Sequence, residues 1–384
     1  MVKNIGHGIV VFVLACVGFA FLHDAHAAAP ASFYDLPYQP NFIRFGPEQG
    51  LSTAINDLAV DRLGYVWLAT GDGLARYDGA GFKHWRRVIG DPNTLPDNEV
   101  TLIHVDAHDR LWAATWFALS VLEPGGRIPR TIEFTGEASR CAIEITAMVS
   151  APDGTLWIGN HAGDLCSISR KGEISKLYQD DGKAPLFEKA TPLAIHVQAS
   201  GNLLVGTNAG LWRVDPKALS ARSVASYDDS IGKDLIFALS GQPDGTVWIG
   251  AENGLFRLDP HPNAVPVLSD MLPQRAARRA VVHHARDGNH WVGSYYGLYR
   301  KRAIAAKNSS LDENLGVDSG VIKIVEDREG GVWFASYSQG VLYLPQTNKK
   351  FIIISNFSEY SYSKLVGADF DREGNIWVLA DNGV

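Results

Sequence analysis

The chain has 384 residues, of which 46% are apolar, 10% aromatic and 20% charged, a balance that supplies a sizeable core and excludes a disordered chain. A net charge of −7 argues against nucleic acid as the main partner, because phosphate neutralisation needs clustered Lys and Arg. The 38 Gly and 10 Trp point to many tight turns between short strands.

The N-terminus reads as an export signal, residues 1–27. Lys3 gives the positive start, Ile9 to Leu22 an apolar run of 14 residues, and Ala25, His26 and Ala27 a small-x-small cleavage pattern. The run is short of the roughly 20 residues that span a bilayer. A retained anchor is the alternative. Cleavage after Ala27 would remove Cys16 and leave Cys141 and Cys166 in a compartment that permits disulfides. A bond between these two is possible, but its geometry cannot be read from sequence. Neither lies in a C-x-x-C pair, which weakens a zinc reading.

The rest of the chain repeats. Asp61 to Trp67 reads DRLGYVW, Asp106 to Trp112 DAHDRLW, Ala151 to Trp157 APDGTLW, and Gln242 to Trp248 QPDGTVW. Ala285 to Trp291 reads ARDGNHW, Asp327 to Trp333 DREGGVW, and Asp371 to Trp377 DREGNIW. One further copy, Gln198 to Leu204, has Leu204 in place of Trp. The eight copies recur every 42 to 47 residues, and such a period has to be settled before any other feature of the fold.

Each copy has the local grammar of β-structure. An alternating apolar stretch comes first, such as Val321 to Val325, then an Asp-Gly, Glu-Gly or Ser-Gly turn, then the Trp strand. A second Gly follows about six residues after the Trp, as at Gly73, Gly163, Gly210, Gly254 and Gly297. A third strand and a looser fourth strand complete the unit. Four short antiparallel strands per repeat make a propeller blade, so the expected fold is an all-β propeller of seven four-stranded blades over residues 28–350. Residues 351–384 are expected to be a truncated eighth repeat. Trp67, Trp112, Trp157, Trp248, Trp291, Trp333 and Trp377 are assigned as structural wedges between blades, each indole N–H finding a partner. The segment Phe42 to Phe45 reads as an outer strand that precedes its own blade. It is expected to pair around Gly340 to Leu344 and seal the ring. A single eight-bladed ring with Trp377 between the first and seventh blades is the alternative.

The first copy carries Gly50, Leu51, Asn56, Asp57, Asp61, Gly64, Trp67, Asp72, Gly73, Leu74, Arg76, Tyr77, Asp78, Gly79 and Phe82 at characteristic spacings. It resembles the two-component regulator propeller repeat, and the resemblance extends over roughly residues 40 to 384. It implies a periplasmic ligand-binding sensor region, outside the membrane and ahead of a β-sandwich, a membrane helix and a histidine kinase or diguanylate cyclase output. The chain ends in mid-blade at Val384, so it is expected to be an N-terminal fragment of such a sensor. A secreted propeller lyase or hydrolase acting on a polysaccharide or cyclic ester is the alternative.

Isolated chemical motifs are read as structural. His283, His284 and His290 cluster in sequence, but neighbouring strand residues face opposite sides, so no metal site is expected. Ser361 and Lys364 match S-x-x-K without its companion motifs. Asp57, Asp61, Asp72 and Asp78 are read as turn caps. Arg275, Arg278 and Arg279 form a solvated basic face or an anion contact at a blade edge. No catalytic residue and no cofactor are assigned.

The candidate binding residues lie in the turn after the Trp strand, which varies while the framework around it stays fixed. Trp116, His161, Asn208, Glu252, Tyr295 and Tyr337 are the candidates, with Asp72, Phe117, Asn253, Tyr296 and Asp381 beside them. All these turns should ring one mouth of the central channel. Aromatic, amide and acidic groups there suit a small polar ligand such as a saccharide. Nucleic acid is not an expected partner. Membrane contact is expected only through parts C-terminal to this chain, and a full-length sensor could pair as a homodimer.

Overall fold

Alternating apolar residues and positive-φ glycines set the pattern of short hairpins. In the computed structural model Gly64, Gly154, Gly201, Gly245, Gly288 and Gly330 all adopt φ between 82° and 89°, in the turn between the first and second strands of their blades. An L-residue side chain is strained in that conformation. The structure describes residues 2–5, 9–12, 365–370, 376–380 and 40–347, the last range without 53, 179–185, 188–189, 225–233, 262–263, 265, 270–276, 302–312 and 318.

Residues 41–350 form one unit of seven four-stranded antiparallel sheets. The innermost strands are Ile55–Val60, Val100–Val105, Ile145–Ser150, Pro192–Val197, Ile236–Gly241, Val281–His284 and Val321–Glu326. The second strands carry the Trp positions: Val66–Thr70, Leu111–Thr115, Leu156–Asn160, Leu203–Thr207, Val247–Ala251, His290–Ser294 and Val332–Ser336. The fold is a seven-bladed β-propeller.

The seventh blade takes its outer strand from the start of the ring. Ile43–Phe45 pairs antiparallel with Val341–Leu344, with Ile43 opposite Tyr343 and Phe45 opposite Val341. This is the closure expected from the sequence. It removes a free sheet edge that would otherwise template association. Phe45 stacks on Trp333, 5.5 Å between centroids at 15°, and meets Tyr77 of blade 1 at 5.0 Å. Blade 7 therefore packs directly on blade 1, and the ring closes with seven members.

Residues 1–40 and 351–384 form a second unit. In it Leu365–Phe370 pairs antiparallel with Ile376–Ala380, with the same one-residue bulge as six of the seven inner strands of the ring. Ile9–Phe12 runs parallel beside Ile376–Ala380 and antiparallel to Val2–Ile5. The expected cleavage site at Ala27, and Ser361, Lys364, Asp381 and Arg275, lie outside the described residues. Trp377 lies on the Ile376–Ala380 strand.

The core sits at the seams between blades. Each repeat Trp packs against the next blade: Trp67 with Val100 and Ile103, Trp112 with Ile145 and Ile158, Trp157 with Ile195 and Leu203, Trp248 with Val282 and Val292. Trp291 meets Phe334 at 5.3 Å, and Trp333 packs with Leu58 and Ala75. Leu204 occupies the same seat against Val247 and Ile249. All six of these indoles are under 10% exposed.

The blades also seat on one another through a small residue two positions after the repeat Trp or Leu. A Cβ on Gly159 would lie 2.6 Å from Pro192, on Gly206 2.5 Å from Ile236, and on Gly293 2.6 Å from Val321. In each case the first inner-strand residue of the next blade fills the space. Gly250 differs, because the Ala280 carbonyl oxygen takes that place, 1.8 Å from where its Cβ would be.

Cys141 and Cys166 form a disulfide with Cα atoms 6.2 Å apart. It ties the short helix Gly136–Ala142, which leads into blade 3, to that blade's third strand, Leu165–Ile168.

Candidate ligand-binding rim

In six of the seven blades the turn after the second strand folds over the entry to the inner strand of its own blade. Backbone N–H groups of Gly71, His161, Asn208, Glu252, Tyr295 and Tyr337 donate to the carbonyls of Ala54, Glu144, Thr191, Leu235, Arg278 and Gly320. These bonds place the turns together on one rim of the ring. In five blades a hydroxyl on the last residue of the second strand holds the turn from beneath. Thr70 and Thr207 donate to the carbonyls of Gly73 and Gly210 at 2.7 and 2.8 Å. Ser294 and Ser336 accept from the N–H of Tyr296 and Gln339 at 3.1 and 2.8 Å. These buried hydroxyls recur in the sequence one residue before the variable turn, a signal for a local turn cap that the sequence reading passed over.

The six candidates divide into two groups. Asn208 is committed to the scaffold, its Oδ1 accepting from the Thr191 N–H at 2.8 Å. The His161 carbonyl accepts from Thr191 Oγ1 at 2.9 Å. Trp116 is exposed beside the still more exposed Phe117. Among the described residues no ring contact or ion pair links Trp116, His161 or Asn208 to one another.

Glu252, Tyr295 and Tyr337 do converge. Tyr295 meets Tyr337 at 6.4 Å and 62°, and Tyr296 at 5.4 Å and 82°. All three tyrosines are about half exposed. Glu252, Arg278, Arg279, Tyr295 and Tyr296 line an open pocket of about 230 Å³. Arg278 Nη2 donates to Glu252 Oε1 at 2.7 Å, and Arg279 Nε to Oε2 at 2.6 Å. The hydrogen bond from Arg279 leads the interactions that hold the Glu252 carboxyl below the usual carboxylate range. Arg278 and Arg279 therefore belong to the rim and are not a free-standing basic face.

Arg279 departs from the blade rule. Ile55, Val100, Ile145, Pro192, Ile236 and Val321 fill its position in the other blades, two residues before the residue that resumes the ladder after the bulge. All six are buried, whereas the Arg279 side chain is 43% exposed. Its backbone is left-handed, with φ 53°, a conformation that costs a non-glycine residue about 1–3 kcal/mol. The Arg279 N–H is held by the Ala251 carbonyl at 2.9 Å, and its guanidinium lies 4.6 Å over the Phe237 ring. The side chain points out to the rim and leaves the seat beside Gly250 to the Ala280 carbonyl.

One sequence reading changes. Asp57 is not a turn cap. It lies on the innermost strand, 2% exposed, where Oδ1 is 3.0 Å from Lys323 Nζ of blade 7 and Oδ2 accepts from Ile103 N of blade 2. It ties three blades together at the channel. The His cluster is split as strand alternation implied: His283 lies 3.6 Å from Glu326, while His284 contacts His290 and Gln242 on the other face. Among the described residues no group of three or more His, Cys, Asp or Glu is placed to hold a metal ion. Asp61, Asp72 and Asp78 do sit in turns; Asp61 and Asp78 cap them by accepting backbone N–H bonds, and Asp72 pairs with Arg86 at 2.8 Å.

Solved structures share this architecture. The extracellular domain of a protein described as a hybrid two-component system of B. thetaiotaomicron superposes with a TM-score of 0.68 at 16% identity, over 89% of this chain and 47% of that one. A second such domain from the same organism gives 0.59 at 18% identity, over 80% and 40%. The chain shares the propeller fold of these extracellular domains. That is the fold the repeat resemblance implied. This chain thus spans about half the length of the two-component domains it matches. A catalytically inactive virginiamycin B lyase from Staphylococcus aureus, solved with quinupristin, gives 0.61 at 12% identity over 80% of this chain and 99% of that one. No family model and no curated protein matches the sequence.

Proposed function

We propose that the chain is an exported, non-enzymatic ligand-binding domain of a membrane signalling protein, reading a small polar ligand such as a saccharide at the rim. The observation that carries this reading is the rim itself. Six of the seven turns are fixed by an equivalent backbone bond, yet the turns present different side chains, with three tyrosines beside two arginines. Function on a repeat scaffold is carried where residues vary over a constant frame. Exposed aromatics with convergent polar groups suit a hydroxylated ring that stacks and hydrogen-bonds. The disulfide is in keeping with an oxidising compartment, the periplasm for a sensor of this kind. The shared fold of the two-component extracellular domains supports the sensor reading, with a histidine kinase or diguanylate cyclase as the output of the whole protein and a homodimer as its working form.

Calorimetry of residues 28–384 against a panel of neutral and acidic saccharides tests the binding. Tyr295→Ala with Tyr337→Ala should weaken a hit by about tenfold or more, given about 0.5–1.5 kcal/mol for each of the two aromatic contacts. A hit insensitive to both changes would remove the rim from consideration. Turnover of the hit, seen as a new product by mass spectrometry, would favour the lyase or hydrolase alternative. Intact mass of protein recovered from the periplasm tests export, and retention of Met1 to Ala27 would indicate an anchored form.

A further inference from the structure

Resting on the reading of the rim as a ligand site, we propose that Glu252 is an internal stand-in for a ligand carboxylate, and that the site takes a small ring compound bearing a carboxylate. Three observations carry this. Both arginines end on one carboxylate, each on a different oxygen, which is the two-point donor arrangement that matches a carboxylate. One of the two, Arg279, reaches the rim by giving up an apolar seat that the other six blades keep, in a strained backbone held by the Ala251 carbonyl. Departures from a local structural rule concentrate at functional positions. The pair is also open to exchange, because side-chain exposure is 45% for Arg278, 43% for Arg279 and 27% for Glu252. An ion pair so exposed is weakly held against a competing anion.

In the free protein Glu252 keeps the two guanidinium groups aligned and satisfied. An arriving carboxylate would take over the same N–H groups, while its ring lies against Tyr295 and Tyr296, which line the same pocket. Two guanidinium groups to one carboxylate in the lining favour an anion over a cation. Glu252 then acts as a threshold, since a neutral ring gains the tyrosine contacts without displacing it, and an acid has to displace it.

The test compares D-glucuronate with D-glucose, with inorganic sulfate as the anion without a sugar ring, on wild-type protein and on Glu252→Gln. Glutamine keeps the shape and removes the competing charge. The expected result is tighter binding of glucuronate than of glucose or sulfate, and a gain of about tenfold for glucuronate in Glu252→Gln, the scale of one charge-assisted hydrogen bond. Glucose affinity should stay level. Adding Arg279→Gln to Glu252→Gln should abolish the gain while the thermal midpoint stays near that of Glu252→Gln alone. Equal affinity for glucose and glucuronate in both proteins, with loss in Tyr295→Ala, overturns the carboxylate proposal and leaves the rim reading standing. Sulfate binding as tightly as glucuronate overturns the ring requirement. Absence of binding by every probe to both proteins overturns the proposal, and the wider saccharide panel then decides the rim reading separately.

Discussion

The indole N–H of Trp112 donates to the Asp106 carboxylate at 2.9 Å. Trp333 donates to Asp327 at 2.9 Å and Trp67 to Asp61 at 2.8 Å in the same way. The acid lies six residues before the Trp in each case. Its other oxygen caps the hairpin turn between them, Asp106 Oδ1 accepting from the backbone N–H of His108 and Arg110 at 2.9 and 3.0 Å. One side chain thus fixes both the turn and the wedge. Blades 3 and 6 have Ala151 and Ala285 at this place, and blade 5 has Gln242, where Trp248 Nε1 has no hydrogen-bond partner among the described residues.

Asp106→Ala should therefore lower stability by about 2–3 kcal/mol, since it strands a buried indole N–H and two turn N–H groups. Denaturant unfolding of the variant measures this. A loss under about 0.5 kcal/mol would show that the Trp seat is set by packing alone.

Stability should fall between pH 6.5 and pH 4. His104 Nε2 accepts from the Ser150 N–H at 3.0 Å across the seam of blades 2 and 3, so the ring is held neutral. Burial foremost, then the nearby Lys323, pushes its pKa down to about 4 against the opposing pull of Asp57 and Asp106. His284 is pushed to about 4 mainly by burial, with the charges of His290 and His283 adding to it and Asp244 opposing, and His196 is also lowered by burial. For a lowered histidine the unfolded chain takes up protons first. The penalty begins as pH drops through the ordinary histidine pKa near 6.5 and is complete below the folded value. His104 alone should contribute about 3 kcal/mol. Asp106 adds to the loss at lower pH: burial pushes its carboxyl up, but the bonds from Trp112, Arg110 and His108 outweigh that and hold it low, so its contribution disappears as it protonates. Thermal midpoints from pH 7 to pH 4 should drop, and His104→Gln, which can still accept from Ser150, should flatten the profile. A level wild-type profile would contradict this.

Trp333→Ala should cost about 3–5 kcal/mol, the range for removing a buried aromatic. Trp333 is 2% exposed and stacks on Tyr343 at 4.1 Å as well as on Phe45, so the change loosens the closing seam. Phe45→Ala should act on the same seam, and the double variant should lose less than the two singles added together. An effect confined to ligand affinity, with unfolding unchanged, would mean that the indole is part of the binding site.

Cys141→Ser with Cys166→Ser should destabilise by about 3.5 kcal/mol, the chain-entropy scale for a loop of this size, given a separation of 25 residues. Comparing unfolding of the wild type with and without reductant gives an independent value. No change on reduction would indicate that the entry helix is held by packing of Ala138 and Cys141 alone.

The sequence by itself determined the repeat, its strand order, the wedge role of the Trp positions and the strand that closes the ring. Those signals are local: a turn glycine with positive φ, an alternating apolar run, an acid six residues before an indole. The glycine turns and apolar runs recur in nearly every copy and the acid in half of them, and repetition separates them from chance. The tertiary structure decided what depends on which blades become neighbours. Asp57 looks like any polar residue at the start of a strand until blades 7, 1 and 2 meet at the channel and bring Lys323 and Ile103 to its two oxygens. Glu252 reads as a free acidic turn until the start of blade 6 delivers Arg278 and Arg279 to it. Arg279 looks solvated in the sequence because its departure from the blade rule is visible only when the six buried residues at its position are superposed. The pairing of Cys141 with Cys166 likewise follows from how the entry helix docks on blade 3. Each of these contacts joins residues through the ring geometry, and a repeat pattern carries no information about pairs that form once and are not repeated.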